Sequence, residues 1–206
     1  MRLAAALVMS VAAAAGAYLF LGSDAPEGTR RDAPRLMGEL MSGKGPVGGP
    51  FTLSDQNGHR RSLADFRGKL VLLYFGFAAC PDVCPTDLVA MASVVRALGP
   101  DGDELQPVFV TLDPQRDTRE VLGAYVASFH PRFVALSGSE EETRRVATSY
   151  KVAYEKVRLP RAPTYTIDHT AYVFLLDREG RFVTLFPPGT PAERMVLMVR
   201  EELGIQ

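Results

Sequence analysis

The sequence predicts an α/β fold in which helices flank a central mixed sheet, preceded by an N-terminal membrane anchor. Three features of the chain lead to this prediction. An apolar segment opens the sequence and is followed by a polar stretch. Strand-like apolar runs then alternate with helix-like periodic segments, which is typical of parallel βαβ units. Near the end, two strand-like runs joined by a short turn precede a last helix, and such a hairpin adds an antiparallel edge to the sheet.

Residues 1–22 form the predicted membrane segment. Arg2 and the amino terminus supply positive charge, and residues 3–22 carry no ionisable group except Tyr18. That length is close to the ~20 residues that cross a bilayer, whereas the apolar core of a cleaved signal peptide is usually ~7–15 residues. The length favours an uncleaved anchor, while Ala-x-Ala steps between Ala12 and Ala17 keep cleavage open. Either interpretation places the rest of the chain outside the cytoplasm, in a bacterial periplasm or the equivalent intermembrane space.

Residues 23–47 are predicted to form a flexible linker, because Asp, Glu, Arg, Gly and Pro dominate them. The folded domain then runs over residues 48–206, about 160 residues, which is enough to bury one core. The formal net charge of −1 gives no support for nucleic-acid binding. We therefore expect one folded domain on a membrane tether.

The domain is predicted to begin with a small hairpin, whose turn is Gln56-Asn57-Gly58. Its two strands are expected at Phe51–Ser54 and Arg60–Ser62. Leu70–Phe77 is an uninterrupted apolar run with the length and the aromatic content of a buried strand. A helix is expected from about Pro85 to Leu98, since proline suits the first helical position.

Two later helices are predicted from capping pairs, Asp117 with Glu120 and Ser139 with Glu142. Strands at Leu105–Thr111, Phe133–Leu136, Thr170–Leu176 and Phe182–Phe186, with a last helix at Ala192–Leu203, complete the predicted elements. A strand, then a cysteine pair, then a helix is the arrangement of a thioredoxin-like domain.

The two cysteines of the chain, Cys80 and Cys84, lie where the predicted central strand passes into a helix. In open α/β sheets this carboxyl edge is where ligands bind. The amino terminus of a helix lowers the pKa of a nearby thiol, which favours redox chemistry or metal binding. The spacing permits two thiolates on one metal ion and also permits a disulfide. A purely stabilising disulfide in an oxidising compartment is the structural alternative.

His169 is the third candidate, directly before the predicted strand Thr170–Leu176. Loops at strand ends face one another across the sheet edge, so this imidazole is able to approach the cysteines. A histidine among apolar residues is more often structural than a ligand, and that alternative stays open. Two thiolates and one imidazole suit copper, above all Cu(I), whereas zinc usually takes a fourth protein group or a water.

Three stretches together resemble the Sco/SenC family, and the resemblance extends from about Val47 onward. They are YFGFAACPDVCPTDL, TLDPQRDTREVLGAYVASFHPRFVALSG and YTIDHTAYVFLLDREGRF. The resemblance implies a membrane-tethered, thioredoxin-like copper chaperone that helps to assemble the binuclear copper centre of cytochrome c oxidase. It also implies that Cys80, Cys84 and His169 bind the copper, as Cu(I) or Cu(II). Ala78 stands where the family usually has Thr, and it is not a ligand position.

The same resemblance implies partners. Copper would pass by ligand exchange to cysteines of cytochrome c oxidase subunit II. Because exported thiols tend to oxidise, a thiol reductase of the same compartment is also implied. Asp82 and Asp168 are expected either to tune the site or to be solvated loop carboxylates, and Asp113 is expected to form a turn.

A thiol–disulfide oxidoreductase is the competing function, with Cys80 and Cys84 as its redox-active pair. Such enzymes usually have two residues between the cysteines, and here there are three. A scaffold with a structural disulfide is the third alternative, in which His169 is dispensable.

Overall fold

A mixed sheet with helices around it forms the folded part of the chain. The structure is a computed structural model that describes residues 46–158 and 164–205. The predicted anchor at residues 1–22 and the predicted linker up to residue 45 lie outside the described residues. Among the helices that are described, none has both the length and the apolar character needed to cross a membrane.

The described elements follow the chain in this order. The strands are β1 (Thr52–Asp55), β2 (Arg60–Ser62), β3 (Leu70–Gly76), β4 (Leu105–Thr111), β5 (Val134–Ser137), β6 (Tyr154–Arg158), β7 (Tyr165–His169), β8 (Val173–Leu176) and β9 (Phe182–Phe186). The α-helices are α1 (Val83–Ala97), α2 (Arg119–Ala127), α3 (Glu140–Ser149) and α4 (Ala192–Leu203). Two short 3₁₀ segments occupy Leu63–Phe66 and Gly99–Glu104.

Seven of the strands form one sheet in the order β2-β1-β5-β4-β3-β8-β9. Strands β3, β4 and β5 are parallel, and helices connect them. Strand β8 runs antiparallel to β3, and β1 runs antiparallel to β5, so a hairpin lies at each edge. All seven residues of β3 are buried, as its unbroken apolar run predicts. The prediction of a mixed sheet flanked by helices is confirmed.

Strands β6 and β7 form a separate antiparallel hairpin that the sequence did not predict. Four of the five residues of β6 are exposed, and three of these carry charges, so the strand has no apolar run to reveal it. Strand β8 begins at Val173, three residues later than expected. As a result His169 is the last residue of β7, and the expectation that it lies in a loop is wrong.

Two helix starts also differ from the prediction. Helix α1 begins at Val83, which places Pro85 in its first turn, where the missing N–H is no loss. Cys84 therefore lies inside the helix, while Cys80 lies in the loop before it. The predicted cap Asp117 is wrong, because Thr118 caps α2 through its side chain. The cap formed by Ser139 and Glu142 is confirmed.

Candidate metal centre

Cys80, Cys84 and His169 come together at the carboxyl edge of β3. One ligand atom from each residue lies within 4.8 Å of the others. Cys84 Sγ and His169 Nε2 are 3.4 Å apart. Both cysteines are free thiols. The structure thus brings the three predicted residues to one point, although 85 residues separate Cys84 from His169 along the chain.

Cys84 is placed by the first turn of α1 and by the glycine that faces it. Its side chain is fully buried. A Cβ atom built at Gly76 would lie 2.9 Å from Cys84 Sγ and 2.9 Å from a ring carbon of Tyr74. The absence of a side chain at the end of β3 therefore makes the room that the sulfur occupies. Cys80 is partly exposed, and its N–H donates to the carbonyl of Phe77.

The ring of His169 is oriented by its own backbone neighbour and by two aromatic rings. Nδ1 lies 3.1 Å from the carbonyl oxygen of Thr170. A carbonyl only accepts, so this bond puts the proton on Nδ1 and leaves the lone pair of Nε2 facing the sulfurs. The edges of Phe77 and Tyr74 meet the imidazole at centroid distances of 5.9 and 6.4 Å. Metal-binding histidines use this second hydrogen bond in the same way.

The two thiols share their protons unequally. A hydrogen bond from the Cys84 thiol, with a further contribution from His169, holds the pKa of Cys80 well below its usual range. The same bond, together with burial, raises the pKa of Cys84. The pair therefore readily holds one thiolate, on the more exposed sulfur of Cys80. A soft metal ion that binds both sulfurs would displace the remaining proton from Cys84.

The sequence profile of the SCO1/SenC family matches residues 40–204. The chain belongs to the SCO1/SenC family.

Several members of this family are similar over most of the chain. An SCO2-like protein from Rickettsia prowazekii is 36% identical over 200 residues, covering 95% of each chain. The mitochondrial SCO2 homolog of Bos taurus is 37% identical, over 92% of this chain and 70% of that one. The copper-bound structure of Bradyrhizobium japonicum ScoI is 41% identical with a TM-score of 0.70, over 76% of this chain and 99% of that one. Copper-bound yeast Sco1 is 32% identical with a TM-score of 0.70, over 78% and 90% of the two chains.

In this SCO1/SenC chain the three acidic residues left open by the sequence have different surroundings. Asp82 is exposed at the start of α1, and its backbone carbonyl accepts from the Thr86 hydroxyl. Asp168 is exposed, and because neighbouring residues of a strand point to opposite faces, its side chain points away from that of His169. Asp113 is completely buried and is bonded to Arg116 and Tyr165.

One buried carboxylate near the site was missed by the sequence analysis. Asp87 lies one helical turn after Cys84 on α1 and has no exposed surface. It accepts a hydrogen bond of 3.0 Å from the N–H of Gly189, in the loop before α4. Burial raises its pKa. The sequence did offer a signal for this residue, because Asp87 is an acidic residue within the apolar stripe of the helix, beside Leu88 and Met91.

Proposed function

We propose that this chain is a membrane-tethered copper chaperone. It binds copper through Cys80, Cys84 and His169 and delivers it to the binuclear copper centre of cytochrome c oxidase subunit II. The observation that carries the proposal is the convergence of two thiols and one imidazole nitrogen within 4.8 Å. Membership of a family in which B. japonicum ScoI and yeast Sco1 have been seen with copper bound supports it.

The donor set suits copper better than the common alternatives. Thiolates are soft ligands that select Cu(I), and an imidazole accommodates both Cu(I) and Cu(II). A structural zinc site would take four protein ligands, and the cluster found among the described residues has three. Three ligands also leave copper open to attack by a thiolate from outside, which is what a carrier of cargo needs. Cys80 is the partly exposed member, so ligand exchange would begin at its sulfur.

Family membership supports the proposed recipient. BsSco, whose 22% identity and TM-score of 0.60 show the shared fold, is described as a member of the Sco family of cytochrome c oxidase assembly proteins. In our proposal the cysteines of oxidase subunit II take the copper, and a thiol reductase of the same compartment keeps Cys80 and Cys84 reduced. Residues 1–22 anchor the chain, residues 23–47 form the linker, and residues 48–206 form the copper-binding domain outside the cytoplasm.

Copper binding is tested with the full chain, purified in mild detergent and reduced. Added Cu(II) should produce an intense thiolate-to-copper absorption band, and Cu(I) should bind in competition with a chelator. His169→Ala should abolish the Cu(II) band, and Cys84→Ser should do the same. His130→Ala is the matched control, because this histidine lies in the loop after α2, where it accepts from the Arg132 N–H. Full binding by His169→Ala would refute the ligand set.

Delivery has its own test. The copper-loaded chain is mixed with the soluble domain of oxidase subunit II, and the optical and EPR spectra of a binuclear copper centre are followed. Appearance of that centre, with loss of copper from the chain, is the expected result. Copper that stays on the chain would contradict delivery while leaving binding intact.

A thiol–disulfide oxidoreductase is the second candidate, favoured by one specific observation. Both cysteines are free, and the pKa of Cys80 is lowered, mainly by the hydrogen bond from Cys84, as in an attacking thiolate. The enzyme would reduce a disulfide in a partner and end with a Cys80–Cys84 disulfide. His169→Ala separates the two functions, since it should remove the copper band and leave most of the reduction of a peptide disulfide in place, because Cys84 is the main cause of the lowered pKa of Cys80.

A further inference from the structure

The loop between β4 and α2 touches both halves of the candidate copper site. We call residues Asp113–Asp117 the 113–117 turn. Its own backbone is closed by a 2.9 Å hydrogen bond from the N–H of Asp117 to the carbonyl of Asp113. The side chains of Asp113 and Asp117 are almost fully buried. A turn anchored by two buried carboxylates is a rigid support rather than a solvent loop.

Asp117 fixes the cysteine half of the site. One oxygen of its carboxylate accepts from the N–H of Ala78 at 3.0 Å and from the hydroxyl of Thr111 at 2.5 Å. Ala78 stands two residues before Cys80, so this bond holds the loop from which that cysteine extends. Asp117, which the sequence predicted as the cap of α2, instead accepts a hydrogen bond from a residue 39 positions earlier in the chain.

Arg116 fixes the histidine half. Its guanidinium lies over the ring of Tyr165, with 3.8 Å between the central carbon and the ring centroid. It also donates to the carbonyl of Tyr165 at 2.8 Å. Asp113 accepts from Arg116 Nε and, at 2.8 Å, from the Tyr165 hydroxyl. Tyr165 and His169 are the first and last residues of β7. The two hydrogen bonds made by Tyr165 and its stacking with Arg116 therefore act on the strand that carries the imidazole.

Phe77 lies between the two halves. Its ring centroid is 5.9 Å from the guanidinium carbon of Arg116 and 5.9 Å from the imidazole centroid of His169. The ring is buried, and Phe77 directly precedes Ala78 in the chain. Arg116 and His169 therefore contact the same aromatic ring.

The β6–β7 hairpin needs contacts with the rest of the chain to hold its position, and the burial of Ile167 in the core is one of them. Isolated two-stranded hairpins are marginally stable in water, and this hairpin pairs with no strand of the seven-stranded sheet. The polar contacts of Lys156 with Glu140 and Gln115 are exposed, and contacts of that kind contribute little. Among the polar contacts of the hairpin, the stacked and hydrogen-bonded Arg116, tied to a buried carboxylate, is the stronger attachment.

We propose that Arg116 is a positioning residue for copper binding, which holds β7 against Phe77 so that His169 stays within reach of Cys84. Asp113 orients the guanidinium for this purpose. The inference rests on the proposed copper site and adds the group that aligns its third ligand. Arg116 touches neither the copper nor its donor atoms in this proposal, so its effect must pass through His169.

A double-mutant cycle tests this route, using the full chain in detergent and Cu(I), in competition with a chelator, as the probe. The four proteins are the wild type, Arg116→Lys, His169→Ala and the double variant. Lysine keeps the positive charge beside Asp113 and loses the planar stack on Tyr165. We expect Arg116→Lys to weaken copper binding about tenfold when His169 is present, a coupling within the range of residues that act together. In the His169→Ala background it should have no effect on the residual affinity of the two thiols.

EPR supplies the readout that a merely structural role would not change. The nitrogen splitting from the imidazole should weaken or disappear in Cu(II)-loaded Arg116→Lys. Arg178→Lys is the matched control, because Arg178 is also ion-paired, with Glu104, but lies at the turn between β8 and β9. It should keep wild-type affinity and spectrum.

The outcomes separate the two proposals. A wild-type chain that binds no copper overturns the proposed function. Wild-type binding with unchanged Arg116→Lys affinity, or an equal loss with and without His169, overturns the positioning role alone. If Arg116→Lys fails to fold, Tyr165→Phe replaces it, since it removes only the hydroxyl bond to Asp113. About threefold weaker binding that depends on His169 is then expected, and none would overturn the inference.

Discussion

The sulfur of Cys84 occupies space that is free only because residue 76 is a glycine and has no side chain. Gly76 has no unusual backbone angle, so the constraint is one of space. In Gly76→Ala the new methyl group would stand 2.9 Å from Cys84 Sγ and 2.9 Å from Tyr74 Cε1, closer than real contacts allow. We expect a loss of unfolding free energy of about 1–3 kcal/mol and a loss of copper affinity larger than that of any surface substitution.

Urea unfolding of the copper-free chain and a Cu(I) competition titration measure the two effects. Gly123→Ala is the control, because a methyl group there meets nothing nearer than 3.9 Å. It lies in α2, where alanine is the better helix former. Wild-type copper affinity in Gly76→Ala would show that the sulfur is free to move without loss.

Asp87 should make the fold less stable as the pH rises. Burial raises its pKa in the folded chain, whereas the unfolded chain ionises it near the ordinary value of about 3.9. Above that value the unfolded state therefore binds fewer protons than the folded state, and the free energy of unfolding falls as the pH increases towards the folded pKa. In Asp87→Asn this contribution is absent, so the stability of the variant relative to the wild type should rise as the pH increases above about 4. Urea unfolding of the reduced, copper-free proteins measures the slope, and a flat or falling difference would contradict this assignment.

The β1–β2 hairpin gives the opposite sign at Asp55. Burial alone would raise the pKa of this carboxylate, but the N–H groups of His59 and Asn57 and the guanidinium of Arg61 outweigh it and lower the pKa. Its contribution to stability is present above the unfolded value and is lost as the pH falls through the folded pKa. We expect Asp55→Asn to cost about 1–3 kcal/mol at neutral pH, with the difference shrinking below about pH 4. A constant difference, measured by the same urea titrations, would assign the effect to packing.

The elements that the sequence revealed are those whose apolar pattern is local. Strands β4 and β9 and helix α4 match their predicted bounds, and β3 differs by one residue at its end. The β6–β7 hairpin escaped because its strands pair only with each other and expose charged residues. Asp117 misled for a related reason: its spacing from Glu120 fits a cap, whereas its actual partners are set by the fold.

The same distinction applies to the candidate site. Residue types and spacing marked Cys80 and Cys84 as a metal or redox pair, and the family resemblance added His169 as the third copper ligand. The supports were not predictable from local pattern. Arg116 meets Tyr165 across 49 positions of the chain, and Asp87 meets Gly189 across 102. Such partners are chosen by topology, which composition and periodicity do not encode.

Copper in this site would join two sheets that share no strand pairing. The cysteines extend from the loop after β3 and from the first turn of α1, which pack on the seven-stranded sheet, whereas His169 belongs to the β6–β7 hairpin. A ligand that binds only the folded arrangement stabilises every element that must be in place to hold it. Copper should therefore slow amide hydrogen exchange in β7 as well as in the cysteine loop.

Hydrogen exchange followed by mass spectrometry distinguishes this linkage from a simple two-thiol site. In the wild type, Cu(I) is expected to protect peptides covering residues 78–88 and Tyr165–His169 together. In His169→Ala only the first of these should gain protection, because copper then has no bond to the hairpin. The turn between β8 and β9 is the internal reference, since it packs at the opposite end of β3, where Gly68 N–H donates to Arg178. No gain of protection in β7 of the wild type would mean that the hairpin is already fixed without copper, and that the 113–117 turn alone determines where the imidazole lies.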